Sequence, residues 1–131
     1  MARVCVVGVV VKTVTAKHFE SYKRFCLEWR ERLGVHWVEL VFEHKTVGDA
    51  TAQAQLDGSG TVGTLRLCRK WDTPRPLNNA TLHRLARHEV LHLLVDQTSQ
   101  PCCEDGRDLE VERLVCRIEA IMDRETARGN P

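Results

Sequence analysis

The stretch "LHRLARHEVLHLLVDQ" (82–97) constrains this chain more than any other. Leu82, Leu85, Val90, Leu91, Leu93, Leu94 and Val95 place apolar side chains on nearly every side of a helix. Such a helix belongs inside a protein, with other layers around it. Yet it also carries "HEVLH", with His88, Glu89 and His92. Two imidazoles and a carboxylate in a buried helix are costly unless something satisfies them. The fold must therefore enclose a helix that brings polar groups with it.

Residues four apart share one helix face, so His88 and His92 can aim at a single ion. Neutral imidazoles ligate zinc at about 2.0–2.1 Å. Glu89 is turned by about 100° from His88. That sets its carboxylate beside a metal, where it can take a proton from water. H-E-x-x-H on a helix is the metalloprotease pattern for this reason. The bland alternative has both histidines bonded to backbone groups or lying at a surface edge. The six histidines of the chain make a chance match conceivable, so context must decide.

A hydrolytic zinc site takes three protein ligands and keeps one position open. The closing helix, "RDLEVERLVCRIEAIMDRE", is rich in carboxylates. Its apolar positions are Leu109, Leu114, Val115, Ile118, Ile121 and Met122. Glu112 borders that stripe in line with Val115, Cys116 and Glu119, and Glu110 borders it on the other side. Asp105 and Asp108 fall in the first turn, where acids complement the helix dipole. On spacing alone Glu112 and Glu110 both remain candidates.

The remaining chain reads as a small α+β domain. "VCVVGVVV" (4–11) is far too short to cross a bilayer. Its β-branched content suits a buried strand better than a signal peptide, and no small-x-small cleavage pattern follows. "TAKHFESYKRFCLEWRERLG" is a helix with the stripe Phe19, Tyr22, Cys26, Trp29 and Leu33, capped by Thr15 and stopped by Gly34. "VHWVELVFE" is β-rich, and Ala50, Ala52, Ala54 and Leu56 alternate with polar residues as in a half-buried strand. "DGSG" then turns the chain into "TVGTLRLCRKW", giving a hairpin in which Gly63 marks a bulge or a close backbone approach. Asn78 or Asn79 caps the histidine helix. With 131 residues, the expectation is one domain over 1–131: an N-terminal mixed sheet with one helix, then the HExxH helix and a C-terminal helix. A net charge of +1 directs attention to neither nucleic acid nor membrane. The six cysteines lack framework or CxxC spacing, as in a cytoplasmic protein, although adjacent Cys102 and Cys103 follow the motif closely enough to block an open metal position.

HEVLH followed some twenty residues later by a glutamate on a second helix resembles the gluzincin branch of the zincin metallopeptidases. The upstream run of a helix ending "LG", then "VHWVELVFE", a small-residue strand and "TLRL" is similar to the minigluzincins and related short bacterial and phage proteins. The likeness covers most of 17–122. It implies a zincin-like fold and a zinc peptidase, with Zn2+ held by His88, His92 and a glutamate, and Glu89 as general base. Ligand glutamates of that family are followed by apolar residues two or three positions on, which favours Glu112 over Glu110. An Asp or Asn commonly follows the ligand by four residues, where this chain has Cys116. The family also implies that "GTLRL" forms the edge along which a peptide or protein substrate lies, although the residues alone equally suit an internal strand.

Two other readings use some of the same residues. "HEVLHLLVD" is similar to H-x-x-x-H-L-x-x-x-D-H of the ribosome-maturation endoribonucleases. Gln97 and Thr98 stand where a third histidine is wanted, however, and Glu89 stands where glycine is common. A non-catalytic, zinc-stabilised binding module is the other alternative, but a purely structural site wants four protein ligands and no base. Asp96 is a candidate to orient a histidine. His18, His36, His44, Tyr22 or an arginine is the candidate oxyanion-stabilising group, and His83 points away from the site.

Overall fold

The computed structural model describes residues 11–46, 48, 50–96 and 104–128, with only the backbone for 96 and 104–109. Most of the expected first strand, 4–10, lies outside them. The described chain begins with β1 (Lys12–Thr13) and continues with α1 (Ala16–Leu33), β2 (Glu39–His44), β3 (Ala52–Leu56), β4 (Val62–Leu67), β5 (Lys70–Trp71), α2 (Asn79–Asp96) and α3 (Glu104–Ala127). These make a small α+β fold of three helices and two small sheets.

Thr15 caps α1 as its side chain implied, and the cap is reciprocal. Thr15 Oγ1 accepts from the His18 N–H, and His18 Nδ1 accepts from the Thr15 N–H at 3.0 Å. Histidine thus takes the place that glutamate or glutamine holds in a capping box. At the other end Gly34 adopts φ +71°, the left-handed conformation that a side chain would resist. Arg30 then folds over the turn, donating to the carbonyls of Val35 (3.2 Å) and Val38 (2.9 Å). The buried stripe of α1 is Tyr22, Phe25, Cys26 and Trp29, with Phe19 and Leu33 at its margins.

β3 and β4 form the expected antiparallel hairpin, and β2 joins the far side of β4 in parallel. The order β2–β4–β3 makes β4 internal, as the residues alone allowed, and corrects the edge that the family resemblance implied for "GTLRL". Among the described residues, β3 pairs only with β4. Asp57 closes the hairpin, its Oδ1 accepting from the N–H groups of Thr61 and Val62, both at 3.0 Å. Gly63, Leu65 and Leu67 face inward along β4, and Ala52, Ala54 and Leu56 do so along β3. The outward face carries Arg66, bonded to Glu43, Gln53 and Gln55.

Asn78 starts α2, its Oδ1 accepting from the Thr81 N–H at 2.9 Å. This helix packs on α1 and the sheet, with Leu82, Ala86, Val90 and Leu93 in the main core. A Cβ on Gly63 would come within 2.9 Å of Leu93 Cδ1 and 3.0 Å of Val38 Cγ1, so this glycine answers to a close approach. A second cluster, Leu91, Val95, Val111 and Val115, docks α3 on α2. The two clusters share Leu33, Leu94 and Met122 at their border, which makes the described interior continuous. Leu114 and Ile121, expected in the buried stripe of α3, are 44% and 50% exposed, and Val111 takes a core place instead.

Candidate metal centre

α2 and α3 run antiparallel, because residues later in one meet residues earlier in the other. Arg87 pairs with Glu119 and Asp123, and His92 meets Glu112. Burying Val111 and Val115 turns the adjoining stripe of α3, Glu112, Cys116, Glu119 and Asp123, towards the histidine face of α2. Three expected residues are thereby brought together. His92 Nε2 lies 3.2 Å from His88 Nε2 and 2.9 Å from Glu112 Oε1, and His88 Nε2 lies 3.1 Å from Glu112 Oε2. Among the described residues, His88, His92 and Glu112 are the group whose ligand atoms converge closely enough to hold a metal ion. Glu110 is exposed and does not belong to that group.

The donor set fits zinc. Bonds of 2.0–2.1 Å at tetrahedral angles separate ligand atoms by about 3.3–3.4 Å. The separations here fall slightly short of that. They are also hydrogen-bond distances, so shared protons can hold the same three groups together without a metal.

Glu119 adds a feature that sequence reasoning left unassigned. Its Oε1 lies 2.7 Å from His88 Nδ1, and its Oε2 lies 3.1 Å from Arg87 Nε. A proton on Nδ1 leaves the Nε2 lone pair of His88 aimed at Glu112 and His92. The Glu119 hydrogen bond raises the His88 pKa above the usual range, against the opposing effect of burial. Burial in turn pushes the Glu119 carboxyl up, but His88 and Arg87 outweigh it and hold the group low. The available signal was twofold. Glu119 follows Glu112 by two helical turns on the same face, and Arg87 is a buried cation that needs a carboxylate partner. Cys116 donates its thiol towards Glu112 Oε2 at 3.7 Å, in the place where the family resemblance implied an Asp or Asn.

Glu89 is only 6% exposed. Burial pushes its carboxyl up to about 7, opposed by His88 and reinforced by Glu112 and Glu119. Its charge also reaches the buried side chains of Tyr22 and Cys26 on α1. On its open side it borders a cleft of about 500 Å³ between α2, α3 and the start of β3. A shallower hollow of about 270 Å³ is lined by Ala52, Gln53 and Ala54 together with His88, His92 and Glu112. The strand beside the site is therefore β3.

The other candidates separate cleanly. His18 is spent on the α1 cap. His36 is exposed beside Glu31, and His44 stacks on Phe19 with ring centroids 4.8 Å apart. Tyr22 is fully buried in the core beside Cys26, its hydroxyl without a geometric hydrogen-bond partner among the described residues. His83 packs on Phe25 and Trp29, away from the site as expected. The Asp96 side chain and the Cys102–Cys103 pair lie outside the described residues. Arginines are what remains for binding an anion, and Arg75 and Arg84 line the larger cleft.

No protein-family model, no curated protein and no solved structure matches this chain. No helix among the described residues is long and apolar enough to cross a membrane.

Proposed function

We propose that this protein is a zinc-dependent metallopeptidase with a minimal, gluzincin-like site. The observation that carries the reading is the convergence of His88, His92 and Glu112 from two helices, with buried Glu89 on the cleft beside them. A structural zinc site would want a fourth protein ligand and would have no use for that carboxylate. Glu112 also supplies the third ligand that an endoribonuclease-type site would draw from a histidine.

His88, His92 and Glu112 would hold the zinc, with Glu119 fixing the His88 tautomer and ring orientation. Zinc, when bound, supplies a Lewis acid for the peptide carbonyl and lowers the pKa of water towards about 7. Glu89 takes the proton from the attacking water and passes it to the departing amine nitrogen. Burial raises the pKa of the Glu89 carboxyl and a bound cation would oppose that rise, which favours the ionised form that accepts the proton. Among the described residues one edge of β3 has no partner strand, and it would offer backbone donors and acceptors to an extended peptide, as in β-augmentation.

Metal analysis of the purified chain, followed by cleavage of a mixed peptide library, tests the proposal. One zinc per chain is expected, with Glu89→Gln retaining it and losing roughly 10²-fold or more in turnover. Loss of zinc from Glu89→Gln would make Glu89 a ligand or a structural prop. Zinc retained with no peptide cleaved, even by the wild type, would leave the binding-module reading in place.

A further inference from the structure

The larger cleft is lined by charges of both signs, and its Asp123 is already paired with Arg87. At the metal end stand Glu89, Glu112 and Glu119. At the other, Arg75 and Arg84 line the same cleft and extend into an adjoining hollow of about 370 Å³. Neither arginine side chain has an ion pair or hydrogen bond among the described residues, in contrast to Arg87, which both Glu119 and Asp123 neutralise. Arg84 lies one turn before His88 on α2, about 6 Å along the helix axis. Arg75 is held from below, its carbonyl accepting from the buried Trp71 Nε1 at 2.8 Å. Arg84 is therefore carried on a helix, and Arg75 on a loop anchored at the buried Trp71.

We infer that Arg75 and Arg84 form a carboxylate-binding subsite that selects peptides bearing a negative charge close to the bond at the metal. Two guanidinium groups at one end of a cleft suit a planar carboxylate, which each can grip through paired N–H donors. The distance limits where that charge lies. An extended peptide advances about 3.3–3.4 Å per residue. A span of one helical turn therefore places the carboxylate within about two residues of the scissile bond. β3 gives the direction. Thr51 and Ala52 border the arginine-lined cleft, and Ala52 to Ala54 border the hollow at His92. A chain laid along this strand thus passes from the cations to the metal site. The carboxylate has two possible sources, an acidic side chain or the free C-terminus of the peptide. The inference rests on the peptidase reading for its substrate class, but recognition of the charge needs no chemistry at the metal.

The test reads binding apart from cleavage. Fluorescein-labelled octapeptides of alanine and glycine are titrated into zinc-loaded Glu89→Gln protein and followed by anisotropy. One peptide carries a central glutamate and an amidated end. Two others replace the glutamate with glutamine or lysine, and a fourth is the glutamine peptide with a free C-terminal carboxylate. The glutamate or the free-carboxylate peptide should bind about tenfold more tightly than the amidated glutamine peptide, and whichever does so identifies the source. Arg75→Glu with Arg84→Glu should abolish that preference or turn it towards lysine, whereas Arg84→Lys should keep part of it. Both arginines are exposed, so these changes leave the core untouched. Equal binding of all four peptides, no binding of any, or a preference that survives charge reversal overturns the inference. Charge preference in protein that binds no zinc would sink the peptidase reading and leave the subsite standing. Cleavage without charge preference would do the reverse.

Discussion

Glu119 Oε1 and His88 Nδ1 are 2.7 Å apart, and the carboxylate that makes this contact is held on its other side by Arg87. An imidazole on a helix can rotate and can carry its proton on either nitrogen. The Glu119 contact removes both freedoms and leaves Nε2 pointing into the ligand group. Replacing Glu119 with glutamine should therefore lower zinc affinity by about 10- to 100-fold while the fold persists. Competition against a chromophoric chelator measures this directly. Unchanged affinity would reduce Glu119 to a structural partner of Arg87.

Glu112 and Glu110 differ by two residues, and the packing of α3 separates their roles. Val111 and Val115 face α2 and carry Glu112 to the histidines, leaving Glu110 exposed. Glu112→Gln should weaken zinc binding by at least about a hundredfold, more than loss of an outer carboxylate. Glu110→Gln should leave it near wild type. The opposite ranking, read by the same competition, would move the third ligand and call for a different seating of α3.

Gly63 lies where β4 passes beneath α2, and its missing side chain sets how closely the motif helix rests on the sheet. An added methyl would press on the Leu93 methyls and on Val38, and both residues are fully buried. Overpacking of this kind costs about 1–3 kcal/mol, which outweighs the roughly 0.5–1 kcal/mol that alanine regains over glycine in the unfolded chain. Gly63→Ala should lower the denaturation midpoint. Leu93→Val, destabilising alone, should cost less when combined with it. Strict additivity in this double-mutant cycle would argue against the contact.

Much of the site was legible because it lies within two helices whose periodicity is strong. HEVLH supplied two ligand candidates and a candidate base, and the family resemblance favoured Glu112 over Glu110 as the third ligand. Thr15 and Gly34 marked the ends of α1 by the local chemistry of caps. What escaped was decided across elements. Strand order depends on β2 joining β4 in parallel across the hairpin, which no local pattern encodes, so the residues left "GTLRL" open between an edge and an internal strand. The buried face of α3 shifted because Leu114 and Ile121 are as apolar as Val111, and only the seating on Leu91 and Val95 chooses between them. Glu119 was visible on the Glu112 face, but its partner on α2 was not.

The buried carboxyl of Glu89 makes stability depend on pH in a way that isolates this residue. Its ordinary value is 4.5, and burial pushes it to about 7 in the metal-free fold. Between those values the folded state holds a proton that the unfolded state has released, so stability falls as pH rises through that window and stays lowered above it. At roughly 1.4 kcal/mol per unit, the loss is at most about 3.5 kcal/mol. Glutamine cannot ionise and escapes this loss. For chelator-treated protein, the urea midpoints of wild type and Glu89→Gln should lie closest near pH 5, with the variant pulling ahead by pH 8. His88, whose raised pKa also makes stability fall with rising pH, is present in both proteins, so the difference between them reports mainly on Glu89. Added zinc should narrow the gap at pH 8, because a cation beside Glu89 favours its ionised form. A gap of the same size at both pH values would mean that the buried carboxyl titrates normally, and would remove the argument for a base poised near neutrality.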